Sequence, residues 1–383
     1  FPPLKPKVRH LLGVGGKGGC QALNETEIFS NRLTYKREKA MTKKRIYLPI
    51  VIVLFLATGT QAQFDSDVSK VGITAAPFLT IGVGAKATGM GGAFVATASD
   101  ASALFWNPSG IARIDHPEGI FSHINWIADI KYDFIGFLLP AGRLGTVGAS
   151  ITTLSMDDML VRTESEPLGT GEYFQSGDLS LALSYAVNLT DRFSIGFTGK
   201  YIRQQIWKET AQGVALDIGT LFTTGFRGMR IGATLSNFGT DMTMSGEDLV
   251  QYIDIDDQKL GNNDQIFSQL KTDSWPLPLN FQVGLAMELM QNSLHRLTLA
   301  VDAIQPTDNT ESLNMGMEYG LREWFFLRAG YRNLFLRDTE EGITFGVGAS
   351  LKYISRIPLR FDYAFAEFGR LQNIQCITIA LEL

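Results

Sequence analysis

The sequence predicts an all-β fold, a transmembrane antiparallel β-barrel of about fourteen strands with a short, different segment in front of it. Three observations lead there. A secretory-type leader precedes the folded part, apolar residues recur at every second position from about residue 118 to the end, and the connectors alternate between short and long. Composition is compatible with this class. Of 383 residues, 45% are hydrophobic and 19% charged, with 39 Gly, 13 Pro and 2 Cys, which excludes a disordered chain, a collagen and a disulfide scaffold.

The leader comes first. Met41 is followed by Lys43, Lys44 and Arg45, the apolar run Ile46 to Ala57, and Thr60-Gln61-Ala62 with small residues at the positions a signal peptidase reads. The run is shorter than the ~20 residues a membrane-spanning helix needs. Residues 41–62 therefore read as a signal peptide cleaved after Ala62, and residues 1–40 as translated sequence upstream of the true start at Met41. A genuine basic N-terminal arm is the rival reading. With the leader goes Cys20, leaving Cys376 without an intrachain disulfide partner, and no Cys follows the apolar run to carry a lipid anchor. Of the 34 basic and 39 acidic residues, 11 and 3 fall within the first 62, so residues 63–383 hold 23 against 36, a net charge of −13. That balance repels nucleic acid, and no nucleic-acid partner is expected.

Residues 63–117 do not alternate. The stretch from Gly82 to Gly110 is too rich in glycine for a lipid-facing strand and too poor in large residues for an independent domain. A short helix is expected over Ala101–Trp106, with Asp100 as N-cap and Asn107-Pro108 ending it. Gly82-Val83-Gly84 begins a dinucleotide-type fingerprint, but Ala87 stands where the third glycine belongs and no βαβ unit follows; Lys86-Ala87-Thr88 is no phosphate-loop ending.

Residues 118–383 carry the barrel pattern. In the clearest case Ile343, Phe345, Val347, Ala349, Leu351 and Tyr353 alternate with Thr344, Gly346, Gly348, Ser350 and Lys352. The pattern places strands near 118–128, 131–140, 144–156, 178–188, 192–206, 211–222, 228–237, 277–288, 294–304, 311–320, 324–334, 341–352, 357–367 and 373–383. Connectors such as Pro140 to Arg143, Leu189 to Asp191, Met290 to Ser293 and Ile354 to Arg356 are short, whereas Asp157 to Gly177 and Gly239 to Trp275 are long, as in barrels with periplasmic turns and extracellular loops. A soluble sandwich or lipocalin would also alternate. Here one phase is nearly all Leu, Ile, Val, Phe, Met and Tyr, and the other is Gly, Ala, Ser, Thr and scattered charge. Aromatics (Trp126, Tyr132, Tyr173, Trp207, Trp275, Trp324, Tyr353) fall near strand ends, where interfacial girdles lie. Hydrocarbon offers an open sheet edge no hydrogen-bond partner, so the sheet must close, with outer-membrane lipid against its greasy face.

On the other phase lie Lys200, Asp217, Arg230, Asp302, Glu318, Arg328, Arg360 and Asp362. Unpaired charge facing lipid is costly near the midplane, so these residues should face the lumen and pair with one another or with the N-terminal segment. Catalytic and metal chemistry finds no pattern. The histidines (His10, His116, His123, His295) show no zinc spacing, and there is no Gly-x-Ser-x-Gly elbow. A barrel phospholipase would need Ser and His on neighbouring strands, for which His123 with Ser150 is the imaginable pair. The acidic loop Glu247 to Asp264, with Asp254, Asp256 and Asp257, lacks a calcium-loop register and reads as solvated surface. No cofactor and no metal are expected.

The residues from Thr74 to Arg113 carry a resemblance. Gly82, Gly84, Gly89, Gly91-Gly92-Ala93-Phe94, Asp100-Ala101-Ser102-Ala103 and Asn107-Pro108-Ser109-Gly110 resemble the N-terminal signature of the PorV/PorQ family, itself similar to the FadL group of outer-membrane transporters. Asp362-Tyr363-Ala364-Phe365 and Phe368-Gly369-Arg370-Leu371 resemble the family's last hairpin. Ser109 replaces the alanine of the FadL element, and the chain ends in Leu383 where outer-membrane barrels usually end in an aromatic. The resemblance implies that residues 63–117 form a hatch inside a barrel spanning 118–383, with Gly89, Gly91, Gly92, Asp100, Asn107, Pro108 and Gly110 as its signature. It implies a non-enzymatic role in or beside a type IX secretion system in the outer membrane, with secretion-barrel components and exported cargo as partners. The FadL side implies the alternative, passive uptake of a hydrophobic small molecule.

Overall fold

A computed structural model of the chain describes residues 71–254, 258, 265–336, 339–351, 358–371 and 373–383. The leader, the upstream segment, Asp256, Asp257, Tyr353 and the turn at 354–356 lie outside the described residues. Fourteen antiparallel strands form the wall: β1 (Glu118–Asn125), β2 (Lys131–Pro140), β3 (Thr146–Ser155), β4 (Ser176–Thr190), β5 (Phe193–Ile206), β6 (Glu209–Thr223), β7 (Arg230–Gly239), β8 (Asn280–Gln291), β9 (His295–Pro306), β10 (Ser312–Leu321), β11 (Phe325–Leu334), β12 (Ile343–Ser350), β13 (Leu359–Ala366) and β14 (Ile374–Glu382). Each pairs with its sequence neighbours, and β14 returns to β1 in the register Glu118↔Glu382 through Asn125↔Gln375, so the sheet closes. Closure leaves no edge, the condition hydrocarbon imposes.

The period-two pattern becomes two faces. Leu183 on β4 is 70% exposed between the buried Ala182 and Ser184; Leu139, Val214, Leu327 and Phe345 likewise stand outward, while Gly, Ala, Ser, Thr and charged residues point in. A closed ring with a greasy outside and a polar inside is the inverse of a soluble sandwich. The aromatic expectation needs correction. Tyr132 is fully buried on the inner face, its hydroxyl donating to the carbonyl of Ile81 at 2.9 Å, because a hatch carbonyl there offers a better partner than the interface. Tyr173 and Trp275 lie in short loop ladders outside the wall.

Short turns gather at the end where β1 begins and β14 finishes; there the Leu383 N–H donates to the carbonyl of Pro117 at 2.8 Å. The long loops lie at the other end, which by the barrel convention faces outward from the cell. The β5–β6 connection departs from the alternation. It is a tight turn at Trp207 and Lys208, with Trp207 in the left-handed region at φ 51°.

Between residues 71 and 117 the chain runs down the lumen. At the long-loop end Ala75 N–H donates to the Pro276 carbonyl at 2.8 Å and Ala76 N–H to Gln204 Oε1 at 2.9 Å. Two short helices follow, α1 (Ala85–Gly89) and α2 (Ala103–Trp106), then a 3₁₀ turn over Pro108–Arg113 that leads into β1 at the short-turn end. Helix α2 starts two residues later than its sequence suggests. Asp100 does not cap it; its Oδ1 accepts from the N–H and hydroxyl of Ser102, closing a local turn that holds 100–102 out of the helix. Asn107 ends α2 and opens the 3₁₀ turn, its Oδ1 accepting from Ser109 N–H at 3.2 Å, with Pro108 at the first position where no N–H is needed.

Candidate functional site

The candidate site is the lumen and the hatch within it. Backbone meets backbone where they touch. Gly91 has φ +64°, and a Cβ there would come within 2.7 Å of Tyr331 N; a Cβ on Gly330 of β11 would come as close to Gly91 Cα. Both positions need glycine, one for its dihedral and both for space. Gly89 lies against Gly346, Gly92 beside Asn314 and Gly110 against the Ala98 carbonyl, while a Cβ on Gly219 would strike Pro108. The Asn107 side chain donates to the carbonyls of Val95 (2.9 Å) and Thr220 (3.1 Å), tying two hatch segments to β6. Gly82, the start of the apparent fingerprint, packs under the Trp106 ring, whose Nε1 donates to the Val83 carbonyl at 2.9 Å.

Four polar anchors fix the hatch and the strands around it. Asp302 on β9 is fully buried, and its Oδ2 accepts the N–H groups of Phe94 (2.7 Å) and Val95 (2.8 Å). Asp100 pairs with Lys86 at 3.1 Å and with Arg360 on β13 at 2.9 Å. Burial raises the Asp100 pKa, but Lys86, Arg360 and the Ser102 hydrogen bond outweigh burial and hold the carboxyl well below the usual range. From Arg360 the charges alternate around the wall. Arg360 Nε reaches Asp362 at 2.9 Å, Arg328 bridges Asp362 (2.7 Å) and Glu318 (2.6 Å), and Arg296 continues from Glu318 (2.9 Å) to Glu323 (2.7 Å). Elsewhere Lys200 on β5 pairs with Asp217 on β6 at 2.7 Å, and Arg230 on β7 with Glu288 on β8 at 2.9 Å.

Some members of this network escaped the sequence reading. Arg296 and Glu288 share the alternation phase of inward residues and could have been found from it; Lys86 and Arg113 belong to the non-alternating segment, where no period marks a face. Asn237 became an inward residue only through a bulge. A chain of alternating, mutually satisfied charges specifies which strand neighbours which part of the hatch.

The His123 and Ser150 pair does not assemble. His123 points outward and pairs with Asp133 at 2.6 Å, whereas Ser150 points into the lumen, because the two occupy opposite alternation phases. Among the described residues no group of three or more His, Cys, Asp and Glu is placed to hold a metal. A polar cavity of about 220 Å³ opens at the short-turn end, lined by Lys86, Thr97, Ser99, Arg230, Glu288 and Arg296 among others.

Residues 64–242, spanning the hatch and the first half of the wall, match the model of the family described as type IX secretion system protein PorV. Comparison with curated proteins gives no match. Among solved structures, the CymD monoaromatic hydrocarbon channel superposes with a TM-score of 0.50 at 12% identity, covering 79% of this chain and 96% of that one. The Pseudomonas putida toluene transporter TodX gives 0.47 at 13% identity, over 77% and 96% of the two chains. A FadL homologue from Pseudomonas aeruginosa gives 0.45 at 10%, over 79% and 98%. The strand count, the luminal segment and the match over residues 64–242 agree: the chain is an outer-membrane β-barrel with the FadL-like fold, and its first half is similar to the PorV family.

Proposed function

We propose that this barrel is a non-enzymatic binding protein that engages exported cargo, or the secretion barrels that deliver it, at the outer face of the outer membrane in a type IX secretion system. The observation that carries the reading is the loop between β7 and β8. After Gly239 the chain continues beside β6, with Thr240 N–H donating to the Val214 carbonyl at 3.0 Å, then forms a hairpin of Val250–Ile253 with Ile266–Gln269. Tyr252 and Phe267 pair edge to face at 6.1 Å on this hairpin and are 69% and 65% exposed. Exposed aromatics on a structured loop make a recognition surface at low entropic cost. The lumen behind it is filled by a hatch held through buried charge, which suits a plugged anchor better than a conduit for apolar solutes.

The test is affinity capture of the tagged protein from native outer membranes. Co-recovery of secreted proteins or large secretion-barrel components, lost in a Tyr252→Ser/Phe267→Ser variant that still folds, is the expected result. Extraction of a bound hydrophobic small molecule with no protein partner would favour the alternative, passive uptake.

A further inference from the structure

The cavity at the short-turn end has more cation than its carboxylates can use. Glu288 already accepts Arg230 (2.9 Å) and Thr298 (2.7 Å), one on each oxygen, and Glu318 accepts Arg296 and Arg328 in the same way. Arg230 Nε is buried and has no hydrogen-bond acceptor among the described residues. Beside it, Arg113 of the hatch donates to Ser194, Thr223 and the carbonyls of Arg192 and Leu221 but has no carboxylate partner there. Thr223, which Arg113 holds from the hatch, is the cross-strand neighbour of Arg230, so the Arg113 guanidinium is fixed beside the strand pair that carries Arg230. Burial first, and then the like charge of Arg230, press the Arg113 pKa downward. Lys86 and Ser99 complete the rim, with Ser99 exposed at the mouth. Arg230, with its idle buried N–H, lines the polar void of about 220 Å³ together with Lys86, and Arg113 stands behind it against Thr223, so the three cations form a cradle that an anion would neutralise.

We propose that this vestibule binds a small oxyanion of the phosphate or sulfate type, held between Arg113 of the hatch and Arg230 of the wall and approached from the periplasm. The ligand is a free solute, because the lumen wall separates the site from lipid headgroups. Occupancy joins the 3₁₀ turn over Pro108–Arg113 to β7 and so ties the lower end of the hatch to the barrel.

Isothermal titration of inorganic phosphate into the full chain in phosphate-free detergent at constant ionic strength tests this. The expected result is saturable one-site binding, with sodium chloride giving none. Arg230→Gln and Arg113→Gln should each weaken binding at least tenfold, while Arg143→Gln, in an exposed turn at the same end, should leave it unchanged. Should Arg230→Gln fail to reach the folded gel mobility, Arg230→Lys replaces it, and weaker binding is again expected since the fork of donors is lost. Absence of saturable binding in the wild type, equal binding of chloride, or unaltered affinity in the arginine variants would overturn the proposal.

Discussion

Asn237 on β7 donates its backbone N–H to Asp217 Oδ1 on β6 at 2.8 Å, from a left-handed conformation with φ 63°. The contact sits where the β6–β7 register slips, Leu216↔Phe238 giving way to Ile218↔Leu235, so that two residues of β7 oppose one of β6. Lys200 holds both partners, reaching Asp217 at 2.7 Å and Asn237 Oδ1 at 2.8 Å. A second bulge repeats the device on β11, where Asn333 (φ 52°) donates its N–H to Asn314 Oδ1 at 2.8 Å. In each, an inward polar side chain takes up the N–H that the bulge removes from the ladder.

Asp217→Ala strips Lys200 of its carboxylate inside a buried site. The cost expected is about 3–5 kcal/mol, read as a lower midpoint for loss of the folded, heat-sensitive gel band. Asn237→Gly, which keeps the left-handed backbone, should cost clearly less than Asn237→Val.

Acid should loosen the hatch through Asp100. Its folded pKa lies below the unfolded value of about 3.9, so its stabilisation is present above that value and is lost as pH falls through the folded pKa. Protease accessibility of the hatch, followed from pH 5 to pH 2, should rise in the wild type. In Asp100→Asn the hatch should be loose already at pH 5 and change less; identical profiles would remove Asp100 from the account.

Gly330→Val puts a branched side chain into the space occupied by Gly91. The wall should still close and run as a folded band, while the hatch becomes cleavable by added protease in detergent. Protection equal to wild type would mean that the backbone contact is not the seat of the hatch.

Leu183→Arg places charge on the outward face of β4, where Leu183 is 70% exposed. A cost of about 2–4 kcal/mol is expected if that face meets acyl chains near the midplane. Leu168→Arg, in the β3–β4 loop and 92% exposed, should be near neutral. In water the two would behave alike, so the difference between them reports the membrane.

The wall was legible because each strand carries its own evidence. Alternation in 341–352 needs no distant partner to be recognised, and the observed β12, Ile343–Ser350, lies inside that span. Bulges at Asn237 and Asn333 were not legible, since the alternation gives no reason for an extra residue until the facing Asp217 and Asn314 are known. The hatch was harder still. Its small residues fix a path only against the glycines of the wall, and Gly91 opposite Gly330 is a relation across 239 positions that no local pattern contains. The phase of alternation sorted Arg328 and Asp362 onto one face, but their direct pairing at 2.7 Å reaches across β12 over Gly348, whose missing side chain leaves the room.

Closure through β1 and β14 is the claim on which everything else depends, and one crosslink reads it directly. Cys376 on β14 faces Ile124 on β1 in the register, both buried in the lumen. In outer membranes from cells carrying Ile124→Cys, mild oxidation should join positions 124 and 376 in a single chain and leave neither thiol free for a maleimide. Two thiols that stay reduced and label freely, in protein that is folded and membrane-bound, would contradict a closed barrel.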